Sequence, residues 1–243
     1  PKDWDKEETK SATAKIVAEI AQYQKILSTS SKRSVLIILQ GMDASGKDGT
    51  VRTIFSAVNP TTCRVAAFKK PTELEFSHDF LWRVHQVVPK TGEIVVFNRS
   101  HYEDILVPTV EGYVDSKTLE KRYNHINDFE ELLTDHGTTI IKCYLHVSKD
   151  EQLERLTERL DNPLKHWKHN DGDWETRNKW DEYMKVYENI FDKCDRIPWH
   201  IIPSDQNWVK VHHVANLLLD ALKDMKLEWP GLETEMFKDK IKK

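Results

Sequence analysis

The apolar run Val35-Leu36-Ile37-Ile38-Leu39 passes through a single glutamine into Gly41-Met-Asp-Ala-Ser-Gly46-Lys47, and no other segment constrains the chain as much. A continuous apolar run of that length predicts a strand buried on both faces, as in a parallel sheet. The loop after it fits G-x-x-x-x-G-K, and residues 48–58 predict a helix. Strand, glycine loop and helix in that order are the setting a phosphate-binding loop requires. Glycines let the backbone curl until successive N–H groups face one anion; the helix N-terminus adds its positive end, and Lys47 adds a mobile cation. A plain glycine turn is the alternative, and the strand-to-helix setting weighs against it. Gly41, Gly46 and Gly49 come from only 8 glycines in 243 residues, so a chain sparing with its most permissive residue concentrates it here.

Similar apolar runs at 65–68, 94–97, 139–147 and 199–202 are separated by segments long enough for crossover helices. Strands alternating with helices predict an α/β fold built on a five-stranded parallel sheet. Helical spacing of Ile16, Ile20, Tyr23 and Leu27 predicts a helix over 5–27. The same spacing places Ile126, Phe129 and Leu133 on one face of 117–136, and Val211, Val214, Leu218, Ala221 and Met225 on one stripe of 207–225. Ser148-x-x-Glu151 predicts a capping box opening a scaffold helix over 150–160. Asn162-Pro163 then breaks the pattern before a polar stretch around Trp167, Trp174 and Trp180, unusual for a plain connector.

Lys+Arg of 36 against Asp+Glu of 40 gives a net charge of -4, which argues against a nucleic-acid or membrane-surface partner held by bulk charge. No apolar run approaches the roughly 18 residues of a membrane span, and the charged opening stretch offers no signal peptide. Cys63, Cys143 and Cys194 stand far apart with neither disulfide nor zinc spacing, so a reduced, cytoplasmic setting is expected.

The loop departs from the common phosphate-binding pattern. Asp48 follows Lys47 where a metal-ligating Ser or Thr is usual, and a second carboxylate, Asp43, sits inside the loop. Asp43 is suited to hold magnesium or to orient an attacking phosphate oxygen; Asp48 reads more simply as a helix N-terminal acid favoured by the dipole. Beyond the third strand the chain turns polar at Asn98-Arg99-Ser100-His101-Tyr102-Glu103-Asp104. Ligands of open α/β sheets sit beyond the carboxyl ends of the strands, so this segment and the glycine loop should share one crevice. Arg99 is then placed for a phosphate, and Glu103 or Asp104 for a metal-bound water or an acceptor. Lys69 and Lys70 after the second strand, with Lys47, Arg64 and Arg83, form a candidate basic track, against the alternative of a solvated charged face. Lys168 and Arg177 lie where a cover could bring an arginine over a transferring phosphoryl group. Asn178-Lys179-Trp180-Asp181 matches a guanine-reading pattern but lies in a helical stretch, not after a strand.

Gly41 to Gly49, Phe68-Lys69-x-Pro71, His78-Asp-Phe-Leu-Trp-Arg83, Phe97 to Glu103 and the Lys165-His-Trp-Lys168 to Trp180 segment together resemble the polyphosphate kinase 2 family, over about 28–229. Asn98 before Arg99, followed by Glu103, is similar to its class III subgroup, which phosphorylates both AMP and ADP. The resemblance implies a three-layer P-loop kinase fold like that of thymidylate kinase. It implies one domain over 1–243, with a helical extension at 1–30, a lid at 161–195 and a tail at 228–243. It also implies reversible transfer of the terminal phosphate of inorganic polyphosphate to AMP or ADP, with magnesium (Mg2+) as cofactor and manganese (Mn2+) as its substitute. The acceptors would be adenine nucleotides, with guanine as a further option, and the protein a dimer or tetramer.

By the same resemblance Asp43 holds the metal and Asp43, Lys47, Arg99 and Arg177 act in catalysis. Ala44, Gly46, Lys47, Asp48, Gly49, Thr50, Lys69, Lys70 and Arg83 bind phosphate and polyphosphate; Asn98, Arg99, Glu103, Lys168 and Arg177 face the nucleotide. An ATP-dependent nucleoside monophosphate kinase and a non-catalytic nucleotide-binding module are the rival expectations.

Overall fold

A computed structural model describes residues 4–30 and 32–231. In chain order its elements are α1 (Lys6–Ser30), β1 (Ser34–Gln40), α2 (Lys47–Ile54), β2 (Cys63–Ala67), α3 (Glu73–Phe76), α4 (Trp82–His85), β3 (Ile94–Asn98), α5 (Glu103–Val110) and α6 (Ser116–Asp135). They continue with β4 (Thr138–His146), α7 (Lys149–Asp161), a 3-10 helix (Pro163–Lys168), α8 (Asp171–Asn178), α9 (Trp180–Lys193), β5 (Trp199–Pro203) and α10 (Asn207–Asp224). The expected tail falls mostly outside the described residues.

All five strands run parallel in the order β2-β3-β1-β4-β5, with β1 at the centre. Every residue of β1 is buried, which is why it reads as an unbroken apolar run. The edge strands are less covered: Val65 is 50% and Ile201 52% exposed. Alternate side chains of β1 serve opposite faces. Leu36 and Ile38 pack with Tyr123, Ile126 and Phe129 of α6 and with Tyr187 and Ile190 of α9. Val35, Ile37 and Leu39 pack with Ile20 and Leu27 of α1, Ile54 of α2, and Val214 and Leu218 of α10. The sheet is thus the middle of three layers, as the family resemblance implies.

Several boundaries differ from the sequence-based expectation. α2 ends at Ile54, short of the predicted 58. The Ser148 hydroxyl caps α7 by accepting from the Glu151 N–H at 3.2 Å, but Glu151 turns its carboxylate to Arg155 instead of closing the box. α9, inside the expected lid segment, buries Trp180, Tyr183, Val186, Tyr187 and Ile190 in the core. Among the described residues no helix is long and apolar enough to cross a membrane.

Lys142, in the middle of β4, is fully buried. Its ammonium donates to Glu130 Oε2 at 2.8 Å, the Tyr102 hydroxyl at 2.9 Å and the Cys194 carbonyl at 2.9 Å. Glu130 Oε1 also accepts from the Tyr102 hydroxyl at 2.8 Å and lies 3.2 Å from His101 Nε2. Burial works against the Glu130 charge, yet His101 and Lys142 hold its carboxyl below the usual range. The cluster ties α6 and β4 to the first turn after β3. Removing one member of a buried pair costs about 3–5 kcal/mol, because the other charge is stranded. Glu130→Leu should therefore lower the urea midpoint strongly, and adding Lys142→Met should recover most of the loss; a double variant no better than the single would refute this account.

Candidate active site

β1 and β3 are neighbours, with Leu39 opposite Asn98. After β1 the chain goes to α2 on one face, and after β3 to α5 and α6 on the other, which opens a crevice at their carboxyl ends. The glycine loop leaves between β1 and β4. Gly41 has φ 150°, and a Cβ there would lie 2.6 Å from the Leu145 carbonyl oxygen, so no larger residue fits. Gly46 caps α2 at φ 91°, and Ala44 is also left-handed at φ 61°. Lys47 folds back over the loop: its ammonium donates to the carbonyls of Gly41 at 2.7 Å and Met42 at 3.1 Å. Burial, then the nearby Arg99 guanidinium, lowers Lys47 to about 8 against the opposing pull of Asp43, Glu103 and Asp48.

The carboxylates divide as the loop geometry dictates. Asp43 ion-pairs with Arg99 across the crevice. Arg99 stands at φ 59°, a conformation unusual for a non-glycine residue, and its N–H donates to the Leu39 carbonyl at 3.0 Å. Asp48 accepts from the Asn98 amide at 2.6 Å, which links the start of α2 to the end of β3. Glu103 accepts from Gln40 Nε2 at 2.5 Å. Burial raises its pKa, with Arg99, the Gln40 bond and Lys47 opposing.

A cleft of about 1030 Å³ opens over the loop. Of the residues singled out in the sequence, Asp43, Ala44, Gly46, Lys47, Asp48, Gly49, Lys69, Lys70, Asn98, Arg99 and Lys168 line it. Others stand back. Thr50 is fully buried and its hydroxyl donates to the Gly46 carbonyl at 3.1 Å, inside the helix turn. Arg83 is also buried; it donates to Asp104 Oδ2 at 2.8 Å and to the Lys69 carbonyl at 2.9 Å, so it braces the Lys69–Lys70 segment from behind. Arg64, expected on the basic track, instead pairs with Glu93 at 3.0 Å. Arg177 donates to the Lys149 carbonyl at 2.6 Å and to Gln152 Oε1 at 3.0 Å, held against the start of α7.

Sequence reasoning missed the cations of α7 and its neighbours. Arg52, Arg155, Arg159 and Lys165 line the cleft. Arg155 donates to the carbonyls of Ala44, Ser204 and Asp205 at 2.7–2.8 Å. Arg159 pairs with Asp173 at 2.6 Å and donates to the Lys168 carbonyl at 3.1 Å, fastening the 3-10 helix and α8 to α7. The signal was present: arginines four residues apart on the helix following β4 share one helix face. Together with Lys47, Lys69, Lys70, Arg99 and Lys168, these cations outnumber the lining acids Asp43, Asp48, Glu151 and Glu158. The arrangement suits an extended anion whose end meets the loop amides.

Comparison with known proteins agrees with this geometry. The family model described as Polyphosphate kinase 2 (PPK2) matches residues 3–230. The AMP/ADP-polyphosphate phosphotransferase of Meiothermus ruber is 47% identical over 225 residues, covering 92% of this chain and 84% of that protein. The ADP-polyphosphate phosphotransferase of Rhodopseudomonas palustris is 38% identical over 229 residues, 88% of this chain and 79% of that one. The crystal structure of polyphosphate kinase 2 from Arthrobacter aurescens TC1 superposes with a TM-score of 0.94 at 42% identity, over 98% of this chain and 86% of the other. Matched in sequence and in fold along nearly all of its length, the chain belongs to the polyphosphate kinase 2 family.

Proposed function

We propose that the protein is a polyphosphate-dependent nucleotide kinase that transfers the terminal phosphoryl group of inorganic polyphosphate to AMP or ADP, reversibly. The observation that carries this reading is the cationic lining, which runs from Lys47 past Lys69 and Lys70 on one side and Arg155 and Arg159 on the other. A nucleotide needs fewer cations; a long polyanion needs such a wall. The relatives whose names state a polyphosphate phosphotransferase activity support the same reading.

Phosphoryl transfer asks little covalent chemistry of the protein and much positioning and charge neutralisation. An oxygen of the nucleotide's terminal phosphate attacks the terminal phosphorus of the polymer in line. The bridging P–O bond behind it breaks, and the shortened polyphosphate leaves with that electron pair. Lys47 exchanges its loop carbonyls for phosphate oxygens of the donor. Arg99, aimed by its ion pair with Asp43, faces the group in transfer. Asn98 flanks it on the acceptor side, Glu103 stands behind the cleft lining on Gln40, and Arg177 reaches the cleft by giving up Lys149 and Gln152.

Asp43, a carboxylate on the cleft lining, fits a hard divalent cation such as magnesium. Among the described residues no cluster of three or more acidic, His or Cys side chains forms a ready cage, and magnesium characteristically binds through one or two carboxylates plus substrate phosphates. When bound it would neutralise charge on the transferring phosphates. The free cysteines, Cys143 and Cys194 buried, fit a cytoplasmic enzyme.

Purified protein given magnesium, polyphosphate and AMP or ADP without ATP should yield ADP and ATP on nucleotide separation. Transfer to AMP that needs ATP and ignores polyphosphate would overturn the proposal. Asp43→Asn should abolish turnover while the circular dichroism stays native, and Arg99→Ala should cost on the order of 10³-fold in kcat; near-full activity in either would remove that residue from the mechanism. Lys47 is charged below about 8 and loses its proton above it. The pH profile of kcat/KM for polyphosphate, which reports the free enzyme, should therefore hold below that value and fall about tenfold per unit above it. A profile flat to pH 10 would refute this expectation.

A further inference from the structure

The carbonyls of the glycine loop are bound one after another by side chains. Lys47 takes those of Gly41 and Met42. Gln152 Nε2 donates to the Asp43 carbonyl at 3.0 Å, Arg155 Nη1 to that of Ala44 at 2.8 Å, and Lys210 Nζ to that of Ser45 at 3.0 Å. Gln152 and Arg155 come from α7 and Lys210 from α10, so two helices distant in sequence meet on three consecutive peptide units. Ala44, Gly46 and Lys47 line the cleft, and among the described residues no protein acceptor takes their N–H groups. Carbonyls turned outward and amides left open inward make an anion-binding nest.

The three donors are not surface residues resting on a loop. Gln152 is fully buried and Lys210 is 1% exposed. Lys210 Nζ also donates to Asn207 Oδ1 at 2.8 Å, and a Cβ at position 46 would fall 2.0 Å from it, so Gly46 and Lys210 fit only as a pair. Burial, then Arg155 and Lys47, lowers Lys210 to about 7, with Glu151 opposing; even as a neutral amine it has two N–H bonds for its two acceptors. Gln152 spends its other end on Arg177, whose Nη1 donates to Oε1 at 3.0 Å, and so spans from α8 to the loop.

We propose that Gln152, Arg155 and Lys210 are positioning residues for phosphoryl transfer: they hold the carbonyls of Asp43, Ala44 and Ser45 away from the cleft and so keep the amides of the same loop aimed at the donor phosphate. The proposal rests on the polyphosphate-kinase reading of this cleft. Loss of one tie lets a peptide unit rotate, which turns a carbonyl dipole toward the phosphate and moves the reacting groups. A misplacement near 1 Å costs on the order of 10²-fold in rate.

Lys210→Met and Gln152→Met each keep the bulk and remove the donor. Binding of tripolyphosphate without nucleotide, binding of AMP without donor, kcat and KM for both substrates, and the thermal midpoint should be measured for wild type and both variants. The expected result is weaker tripolyphosphate binding and a kcat/KM for polyphosphate lower by on the order of 10²-fold, while AMP affinity stays within about twofold in Lys210→Met, the variant that leaves the Gln152–Arg177 contact intact. Lys210→Arg, which restores a donor, should recover part of the loss. Variants that fold and bind tripolyphosphate as wild type does, with unchanged kcat/KM, would overturn the proposal while leaving the kinase reading intact. Equal loss of donor and AMP binding alongside a collapsed midpoint in both variants would also overturn it, as a purely structural role. A wild-type protein that neither binds tripolyphosphate nor transfers from it would remove both readings.

Discussion

β1 is buried along its whole length between β3 and β4, so the chain can leave its carboxyl end only by a loop whose peptide groups find partners away from the strand ladder. Leu145 closes the space beside Gly41, and Lys210 closes the space beside Gly46. Between these fixed points the loop has little choice of path. Its carbonyls meet donors from the base of α2, from α7 and from α10, and its open amides are left to the cleft. The sheet order adds the other wall: β3 lies directly beside β1, so Asn98 and Arg99 face Asp48 and Asp43 across one crevice.

Charge is distributed to match. The chain is mildly acidic at -4, yet lysines and arginines outnumber acids along its cleft. The cleft cations are restrained by specific partners: Arg155 by three backbone carbonyls, Arg159 by Asp173, Arg99 by Asp43. Held cations lose less entropy when an anion arrives than free ones would, which is the advantage of preorganisation. A basic wall confined to one face lets an acidic protein grip a polyanion without gathering others over its whole surface.

Buried strands and amphipathic helices were legible because their periodicity is local. The runs around Ile37, Val96 and Ile141 became strands, and Ile126, Phe129 and Leu133 became the inner face of α6. The glycine loop was legible for a related reason, since its glycines, its lysine and its flanking elements are contiguous. Arg83 shows the limit. Its charge was visible, but its fate depended on Asp104 and the Lys69 carbonyl, which only folding brings to it. Arg64 likewise looked like part of a basic track until Glu93 claimed it. Arg155, Lys210 and Gln152 went unnoticed because each sits in an ordinary helical pattern, and its partner is a carbonyl more than a hundred residues away.

By itself the sequence determined an α/β chain with a central buried strand, a phosphate-type loop after it, a polar segment after the third strand, and the family those motifs belong to. Those properties rest on period, on glycine's reach in backbone space, and on contiguous side chains. Only the tertiary structure decided which charges face the cleft and which are consumed as braces, that residues 180–193 belong to the core, and that α7 and α10 clasp the loop from behind. The physical reason is that a side chain's task is set by the partner it meets. A carbonyl offered as partner is the same chemical group at every residue, so the sequence carries no mark of which one will be met.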